Sequence, residues 1–164
     1  MRVFSSRFAG IVAVSAMLAI TGCASKKKLP NSAGDLGLNS AAPGSQQDFT
    51  VNVGDRIFFE TDSSSLTSTA RTTLDRQATW LARYTRYPVT VEGHADERGT
   101  REYNLALGAR RAAATRDYLA AKGIRRGRIK TISFGKERPV AVCNDISCWS
   151  QNRRAVTLLR GPTS

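Results

Sequence analysis

The stretch VEGHADERGTREYNLALGARRA, from Val91 to Ala112, decides the fold. It contains the end of a predicted β-strand, Val89–His94, then a polar turn with a glycine, and then the start of a helix. Thr100 is a residue type that caps helix N-termini and Gly123 one that closes helix C-termini, so the helix is predicted over Arg101–Lys122. A strand that leads directly into a capped helix is typical of proteins that combine a sheet with helices.

The polar turn between this strand and this helix is the predicted ligand site. A helix N-terminus presents unpaired backbone N–H groups, which favour an anion. Asp96, within the turn, adds a negative charge that favours a cation. The turn therefore suits a ligand that carries both an amine and a carboxylate.

The phase of the helix selects the side chains that share an edge with this turn. At about 100° per residue, one stripe of small and apolar residues is predicted to face the core: Leu105, Gly108, Ala109, Ala112, Thr115 and Leu119. Asn104, Leu107 and Arg111 form a second stripe roughly 100° away. Arg110 lies about 100° further round and is predicted to face solvent. Arg111, not Arg110, is therefore expected beside the loop that carries Asp96.

The remaining chain alternates strand and helix patterns. Apolar residues that recur every three or four positions predict a helix capped by Thr67 or Ser68 and ended before Pro88. The other predicted elements are short strands in Phe49–Val53 and Ile57–Phe59, a strand Arg128–Phe134, a loop over residues 135–150 and a strand Ala155–Leu159. This order predicts an α/β fold of the α+β sandwich type, with the helices packed on one face of the sheet.

The N-terminus has the features of a secretory signal peptide. Arg2 and Arg7 precede an apolar run, Ile11–Ile20, which is far shorter than the about 20 residues that a membrane-spanning helix needs. The small residues that end in Cys23 resemble the lipobox of bacterial lipoproteins. That resemblance implies removal of residues 1–22 and acylation of Cys23 with an S-diacylglycerol and an N-acyl chain such as palmitate. The alternative is an ordinary signal peptide followed by a chance cysteine.

The segment after the cysteine, residues 23–48, predicts a linker. It is rich in Ser, Ala, Gly, Asn and Lys, contains Pro30 and Pro43, and shows no hydrophobic period. Such a composition cannot bury enough apolar surface to fold and is typical of a flexible tether. The folded domain is therefore predicted over residues 49–164.

The chain is strongly basic. Its formal net charge is +12, and removal of Arg2 and Arg7 with the signal peptide leaves +10. A basic chain suits nucleic acid, an anionic membrane or an acidic polymer, but an export signal disfavours nucleic acid as a partner. Lys26, Lys27 and Lys28 lie beside the predicted lipid anchor and can face anionic headgroups.

Cys143 and Cys148 are the two cysteines left after Cys23, and they stand five positions apart. A disulfide, two free thiols and a metal site are the alternatives. Export to an oxidising compartment favours the disulfide. The metal site lacks ligands, because His94 is the single histidine of the chain and is far away in sequence. His94 itself is predicted to have a structural role, hydrogen-bonded near the ligand site, rather than to bind a metal.

Three segments together resemble the OmpA-like peptidoglycan-binding domain: residues 92–112, residues 135–139 and residues 152–155. The resemblance implies a mixed βαβαβ sheet and noncovalent binding of the diaminopimelate stem peptide of peptidoglycan. With the lipobox and the short tether it also implies a lipid-anchored protein on the periplasmic face of the outer membrane. Partners implied in the same way are TolB and other Tol proteins, in envelope integrity and cell division. No cofactor is implied beyond the covalent lipid.

The resemblance assigns roles to individual positions. Asp96 matches the aspartate that meets the diaminopimelate ammonium, and Arg111 matches the arginine that meets its carboxylate. Phe59, Asn104 and Leu107 match positions in the pocket wall. Glu60 stands where the family usually has aspartate, so its contact with the ligand is an open question.

Three functions compete on this sequence. A binding module that links membrane and cell wall is favoured. A lipoprotein that mainly contacts Tol proteins is the second. A wall hydrolase using His94 and Asp96 is the third, but no nucleophile or metal site accompanies these residues, so the chain is predicted not to be an enzyme. Asn152, Arg153 and Arg154 suit either a basic contact surface or packing at the entry to the last strand.

Overall fold

The computed structural model describes residues 41–161. The predictions for the signal peptide, for Cys23 and for most of the linker lie outside these residues. The helices are α1 (Gln46–Asp48), which continues into π-helical turns over Phe49–Gly54, α2 (Ser68–Arg83), α3 (Arg101–Ala121) and α4 (Ile146–Asn152). The strands are β1 (Arg56–Phe58), β2 (Val89–His94), β3 (Ile129–Gly135) and β4 (Arg154–Leu159), and a short 3₁₀ turn, Arg126–Arg128, leads into β3.

The four strands of this region form one mixed sheet in the order β1-β4-β2-β3. β2 and β3 are parallel and are connected through α3, whereas β4 runs antiparallel to both β1 and β2. α2 and α3 pack against the same sheet and enclose the core. The predicted α/β sandwich is thus confirmed, and within the described residues no helix is long and apolar enough to cross a membrane.

The core lies between the sheet and the two long helices. Every second residue of the central strands points to the helices, as Val89 and Val91 do in β2. Apolar helix residues spaced three to four positions apart pack against these strand residues. Capping residues determine where each helix begins. The Thr67 hydroxyl accepts from the Ala70 amide, and the Thr100 hydroxyl accepts from the Tyr103 amide. Both helix starts agree with the sequence predictions.

Two glycines let α3 lie directly on β2. A Cβ atom on Gly93 would collide with the backbone carbonyl of Gly108, and a Cβ atom on Gly108 would lie 2.8 Å from the carbonyl oxygen of Gly93. Ser133 of β3 donates a hydrogen bond of 2.6 Å to the Leu105 carbonyl at the same crossing. Backbone therefore meets backbone here, and this close approach fixes the position of the first half of α3 above the sheet.

The predicted strands within Phe49–Val53 were wrong, because this segment is helical. Val51, which alternation assigned to the same strand face as Phe49, is 68% exposed, while Phe49 packs against Trp80 with ring centroids 5.0 Å apart. The folded part also begins before Phe49. Ala41 is buried, and the Trp80 indole N–H donates to Asp48 at 2.8 Å.

Two further details differ from the sequence predictions. Leu105 is 46% exposed and Ala109 is exposed as well. Relative to the prediction, α3 is therefore rotated about its axis so that the stripe of Asn104 and Arg111 faces the interior. The rotation accompanies the close backbone contact between Gly108 and Gly93 of β2, which the side-chain pattern does not reveal. Within the predicted loop 135–150, the structure has the first turns of α4, whose N-terminus is capped by the Asp145 carboxylate.

The close contact between Gly93 and Gly108 predicts that one added methyl group destabilises the fold. Gly108→Ala should lower the free energy of unfolding by about 1–3 kcal/mol, because the added Cβ forces the helix away from β2. Gly127→Ala is the matched control, since a Cβ there meets no atom within 4 Å. Urea denaturation of both variants measures the difference, and equal stability would contradict the proposed contact.

Candidate functional site

Arg111 holds three segments together at one end of the sheet. Its Nε donates to the Ser63 carbonyl at 2.8 Å, Nη1 to the His94 carbonyl at 2.8 Å and Nη2 to the Glu60 carbonyl at 3.1 Å. The side chain has no exposed area, and its guanidinium lies 5.1 Å from the ring centre of Phe59. Burial lowers the pKa of Arg111 to about 10, which leaves it a cation at neutral pH.

A cavity of about 190 Å³ lies above Arg111 at the N-terminus of α3. Its lining combines two carboxylates, two guanidinium groups and an apolar wall: Thr61, Asp62, Asp96, Arg98, Gly99, Tyr103, Asn104, Leu107 and Arg111. The structure thus brings together four of the six predicted binding residues at one cavity. Phe59 lies behind Arg111 and supports it, and Glu60 is discussed below.

Asp96 is surrounded by cations. Arg98 donates to both of its carboxylate oxygens, from Nε at 3.1 Å and from Nη2 at 2.8 Å, and Arg153 Nη1 approaches Oδ2 at 3.4 Å. Burial opposes ionisation of Asp96, but the hydrogen bonds and charge of Arg98, with Arg153, outweigh it and lower the pKa of Asp96. These ion pairs therefore persist at neutral pH and are lost only as the pH falls through that lowered pKa.

Asn104 fixes the turn that carries these charges. Its side-chain amide donates to the Arg98 carbonyl at 2.7 Å and to the Thr100 carbonyl at 3.1 Å. The residue is buried, so both bonds are shielded from water. Asn104 thereby orients the loop from Asp96 to Thr100 over the cavity.

Asp62, rather than Glu60, lines the cavity. The Glu60 side chain is on an exposed residue outside the lining, and only its backbone carbonyl contributes, through Arg111. Asp62 follows two residues later with a φ of 52°, a backbone conformation rare for residues other than glycine. Its carboxylate accepts a hydrogen bond from the Tyr103 hydroxyl, which raises the pKa of Tyr103.

His94 is buried, as a structural residue would be, but it is not hydrogen-bonded as expected. Both ring nitrogens lack a hydrogen-bond partner, and the Glu92 carboxylate is 3.6 Å from Nε2, beyond hydrogen-bonding distance. The ring stacks on Phe134 with centroids 5.6 Å apart. Burial, together with the charges of Arg154 and Arg138, lowers the pKa of His94 to about 4, so it is neutral at pH 7.

The basic segment 152–154 serves packing rather than a contact surface. All three residues are buried: Asn152 bonds the backbone of Val140 and Ala141, and Arg154 donates to the Arg138 carbonyl at 3.1 Å. Arg153 donates to the Phe59 carbonyl at 3.1 Å and also reaches Asp96. Sequence reasoning missed this second contact, because Arg153 is remote from Asp96 in the chain.

The loop closed by Cys143 and Cys148 borders the candidate site. The sulfur atoms of Cys143 and Cys148 are bonded, with Cα atoms 5.7 Å apart, so neither sulfur is free to bind a metal with Asp145. Next to Cys148, the Trp149 ring lies under the guanidinium of Arg98 at 4.2 Å, and its N–H donates to Glu97. The Arg98 guanidinium thus contacts both the Trp149 ring and the Asp96 carboxylate.

Comparison with known proteins identifies the family of this fold and site. The model of the OmpA family matches residues 58–153, which is more than half of the chain. The chain belongs to the OmpA family. Within it, the chain is 69% identical over 159 residues to a peptidoglycan-associated lipoprotein of Agrobacterium fabrum, covering 95% of this chain and 90% of that protein. A protein of the same name from Mesorhizobium japonicum is 71% identical over 157 residues, covering 94% and 93% of the two chains.

Solved structures of OmpA-like domains share the fold. A crystal structure of the peptidoglycan-associated lipoprotein from Burkholderia pseudomallei has a TM-score of 0.67 and 34% identity, and covers 71% of this chain and all of that one. A domain of this extent therefore folds by itself in a relative. The C-terminal domain of Helicobacter pylori MotB, at 20% identity and a TM-score of 0.61, covers 65% of this chain and 84% of that one and shares the fold alone. The relatives from Agrobacterium, Mesorhizobium and Burkholderia are named for association with peptidoglycan, in agreement with the prediction that the chain is not an enzyme.

The contacts of Arg111 predict that it stabilises the fold. Arg111→Ala leaves one buried and two partly buried carbonyls without this donor and should lower the free energy of unfolding by about 3 kcal/mol. The neighbouring Arg110→Ala is the control, because Arg110 is exposed and should change stability by less than about 0.5 kcal/mol. Chemical denaturation compares the two variants, and a similar loss in both would contradict the assigned helix phase.

Proposed function

We propose that this chain is a peptidoglycan-binding lipoprotein that holds the diaminopimelate end of the stem peptide in the cavity above Arg111. One observation carries the proposal: two carboxylates, Asp62 and Asp96, and two guanidinium groups, Arg98 and Arg111, line one small cavity. A zwitterion needs opposite charges at a fixed spacing, and this cavity supplies both. The name shared by the relatives, which refers to association with peptidoglycan, supports the same ligand.

The Arg98 guanidinium binds the Asp96 carboxylate in the way that the ammonium group of a ligand is expected to bind it. Its guanidinium is bidentate to that carboxylate and also stacks on the Trp149 ring, yet its side chain is 42% exposed. An incoming ammonium therefore replaces one cation with another on Asp96, which avoids desolvating a bare carboxylate. Arg98, once displaced, leaves the cavity open toward Arg111.

Arg111 supplies the fixed cation for the ligand carboxylate. A guanidinium has five N–H donors, and three of those on Arg111 are bound to carbonyls, so two are left for an anion. Because Arg111 is immobilised, the ligand loses little free energy in ordering it. A lysine at this position has no such fork and cannot hold three carbonyls and a carboxylate together.

The anchor extends this role to the cell envelope. We propose that Cys23 carries an S-diacylglycerol and an N-acyl chain, which together fix the domain to the periplasmic face of the outer membrane. One acyl chain binds a membrane only marginally, whereas several give a stable anchor. In this position the chain links outer membrane and cell wall, with TolB and other Tol proteins as partners in envelope constriction at division.

The second candidate function is a lipoprotein that mainly contacts Tol proteins. It predicts a domain that does not bind isolated cell wall. Pull-down of the domain on purified sacculi separates the two functions.

The cavity lining predicts which carboxylates bind the ligand. Asp96→Asn and Asp62→Asn should each weaken binding to sacculi by roughly 30-fold or more, because removal of one partner of a desolvated charge pair costs about 2–5 kcal/mol. Glu60→Gln should bind like the native chain, since that side chain is outside the cavity. Sedimentation with sacculi, after circular dichroism has established folding, measures all three.

The opposite ranking would refute this assignment of the site. If Glu60→Gln loses binding while Asp62→Asn retains it, the ligand approaches from the β1 side rather than from the cavity. If none of the three variants loses binding, the cavity is not the peptidoglycan site.

The anchor predicts incorporation of fatty acid at a single residue. Cells grown with an alkyne-tagged fatty acid should label the native chain, and Cys23→Ser should abolish the label because it removes the acylated thiol. Cys143→Ser/Cys148→Ser is the control and should remain labelled. A label that persists in Cys23→Ser would show that the lipid is attached elsewhere.

A further inference from the structure

A second cleft lies at the end of the sheet opposite the Asp96 cavity. It measures about 910 Å³ and is bordered by the first residues of β2 and β3, whereas the last residues of β2 lead to Asp96. Five basic side chains line this cleft: Arg86, Arg125, Arg128, Lys130 and Arg160. We name it the basic cleft. The remaining lining is small or neutral and contains no carboxylate: Thr85, Pro88, Val89, Thr90, Gly127 and Gly161.

The charges of the basic cleft are uncompensated. Within residues 41–161, none of its five basic side chains forms an ion pair. Arg128 instead donates to three backbone carbonyls, of Leu81, Tyr84 and Tyr87, each at 2.7 Å. Burial, and then the charge of Arg125, lower the pKa of Arg128, as expected where positive charges are crowded. The cleft therefore presents positive charge that the fold itself does not neutralise.

Part of this charge is also pre-organised. Arg86 donates to the Gly44 carbonyl at 3.1 Å and to the Tyr87 hydroxyl at 3.0 Å, and Arg160 donates to the Thr90 hydroxyl at 3.3 Å. Neutral acceptors thus hold the guanidinium groups in place without cancelling their charge. Lys130 and Arg125 are exposed and add two mobile cations at the rim.

The N-terminal segment enters the fold beside the basic cleft. The Gly44 carbonyl accepts hydrogen bonds from Arg86 and Tyr87, and Gln46 donates to the Leu159 carbonyl at 3.0 Å. From buried Ala41 back to Cys23 the chain has 18 residue steps, which span at most about 60 Å. The point at which a Cys23 anchor is attached to the folded domain is thus beside the basic cleft.

We propose that the basic cleft binds the phosphate headgroups of anionic lipid on the membrane that carries the anchor, a proposal that rests on the lipid anchor at Cys23. Phosphate matches the geometry of guanidinium groups, and a layer of such headgroups matches five cations spread over one end of the domain. Docking at this end turns the Asp96 cavity away from the lipid. The domain then faces the cell wall with its ligand site.

The test uses the unlipidated chain from Ala24 to Ser164, so that its result is independent of acylation and of peptidoglycan. The chain should sediment with vesicles of phosphatidylcholine and phosphatidylglycerol at low ionic strength, and not with phosphatidylcholine alone. Arg125→Gln/Lys130→Gln/Arg160→Gln should weaken that binding by about 100-fold, since each basic residue near an anionic surface contributes about fivefold. Arg71→Gln/Arg76→Gln/Arg110→Gln removes the same charge from exposed helix positions and should weaken it by about threefold or less.

Three outcomes would overturn the proposal. The first is an equal loss of vesicle binding in the two triple variants, which would indicate that binding depends on net charge rather than on the basic cleft. The second is displacement from vesicles by low millimolar glycerol phosphate, which would identify a soluble phosphate compound as the ligand. The third is equally tight binding to soluble polyglutamate, which would identify an acidic polymer instead of a lipid surface. Failure of fatty acid labelling at Cys23, by contrast, would overturn the anchor and not the vesicle result.

Discussion

The buried guanidinium of Arg111 is the interaction on which the functional end of this fold depends. A cation without exposed area is tolerated only when its nitrogen atoms are hydrogen-bonded, and here the loop after β1 and the end of β2 supply one carbonyl for each nitrogen of the Arg111 side chain on α3. The same bonds fix the floor of the cavity. Stability and ligand geometry are therefore coupled in one side chain, and a residue chosen by helix phase as a binding group is also a structural one.

The sequence predicted the parts of this structure that local patterns determine. β2, the cap of α3 and the side of α3 that carries Arg111 follow from hydrophobic period and capping chemistry, and all three are present. The helical turns over Phe49–Gly54 were missed because their apolar residues alternate, while their real partner, Trp80, is distant in sequence. Contacts of this kind leave no local signal.

The site was predicted less completely than the fold, for the same reason. Asp96 carries its charge next to a helix start and is visible in the sequence. Arg98 and Arg153, which neutralise it, are recognisable only when β4 and the polar turn are seen together. Glu60 was named because it matches a family position, and its contact was left open. Asp62, which has a left-handed backbone and lines the cavity, had no signal in the sequence.

The strand order determines when this chain can fold. β4, the last strand, lies between β1 and β2, and in the described sheet β1 pairs with β4 alone. Until residues 154–159 have left the ribosome, the sheet lacks its second strand and β1 has nothing to pair with. A nascent chain of this topology therefore cannot complete its sheet before its last strand has been synthesised. The order of strands thus makes completion of the sheet one of the last events in the synthesis and folding of this chain.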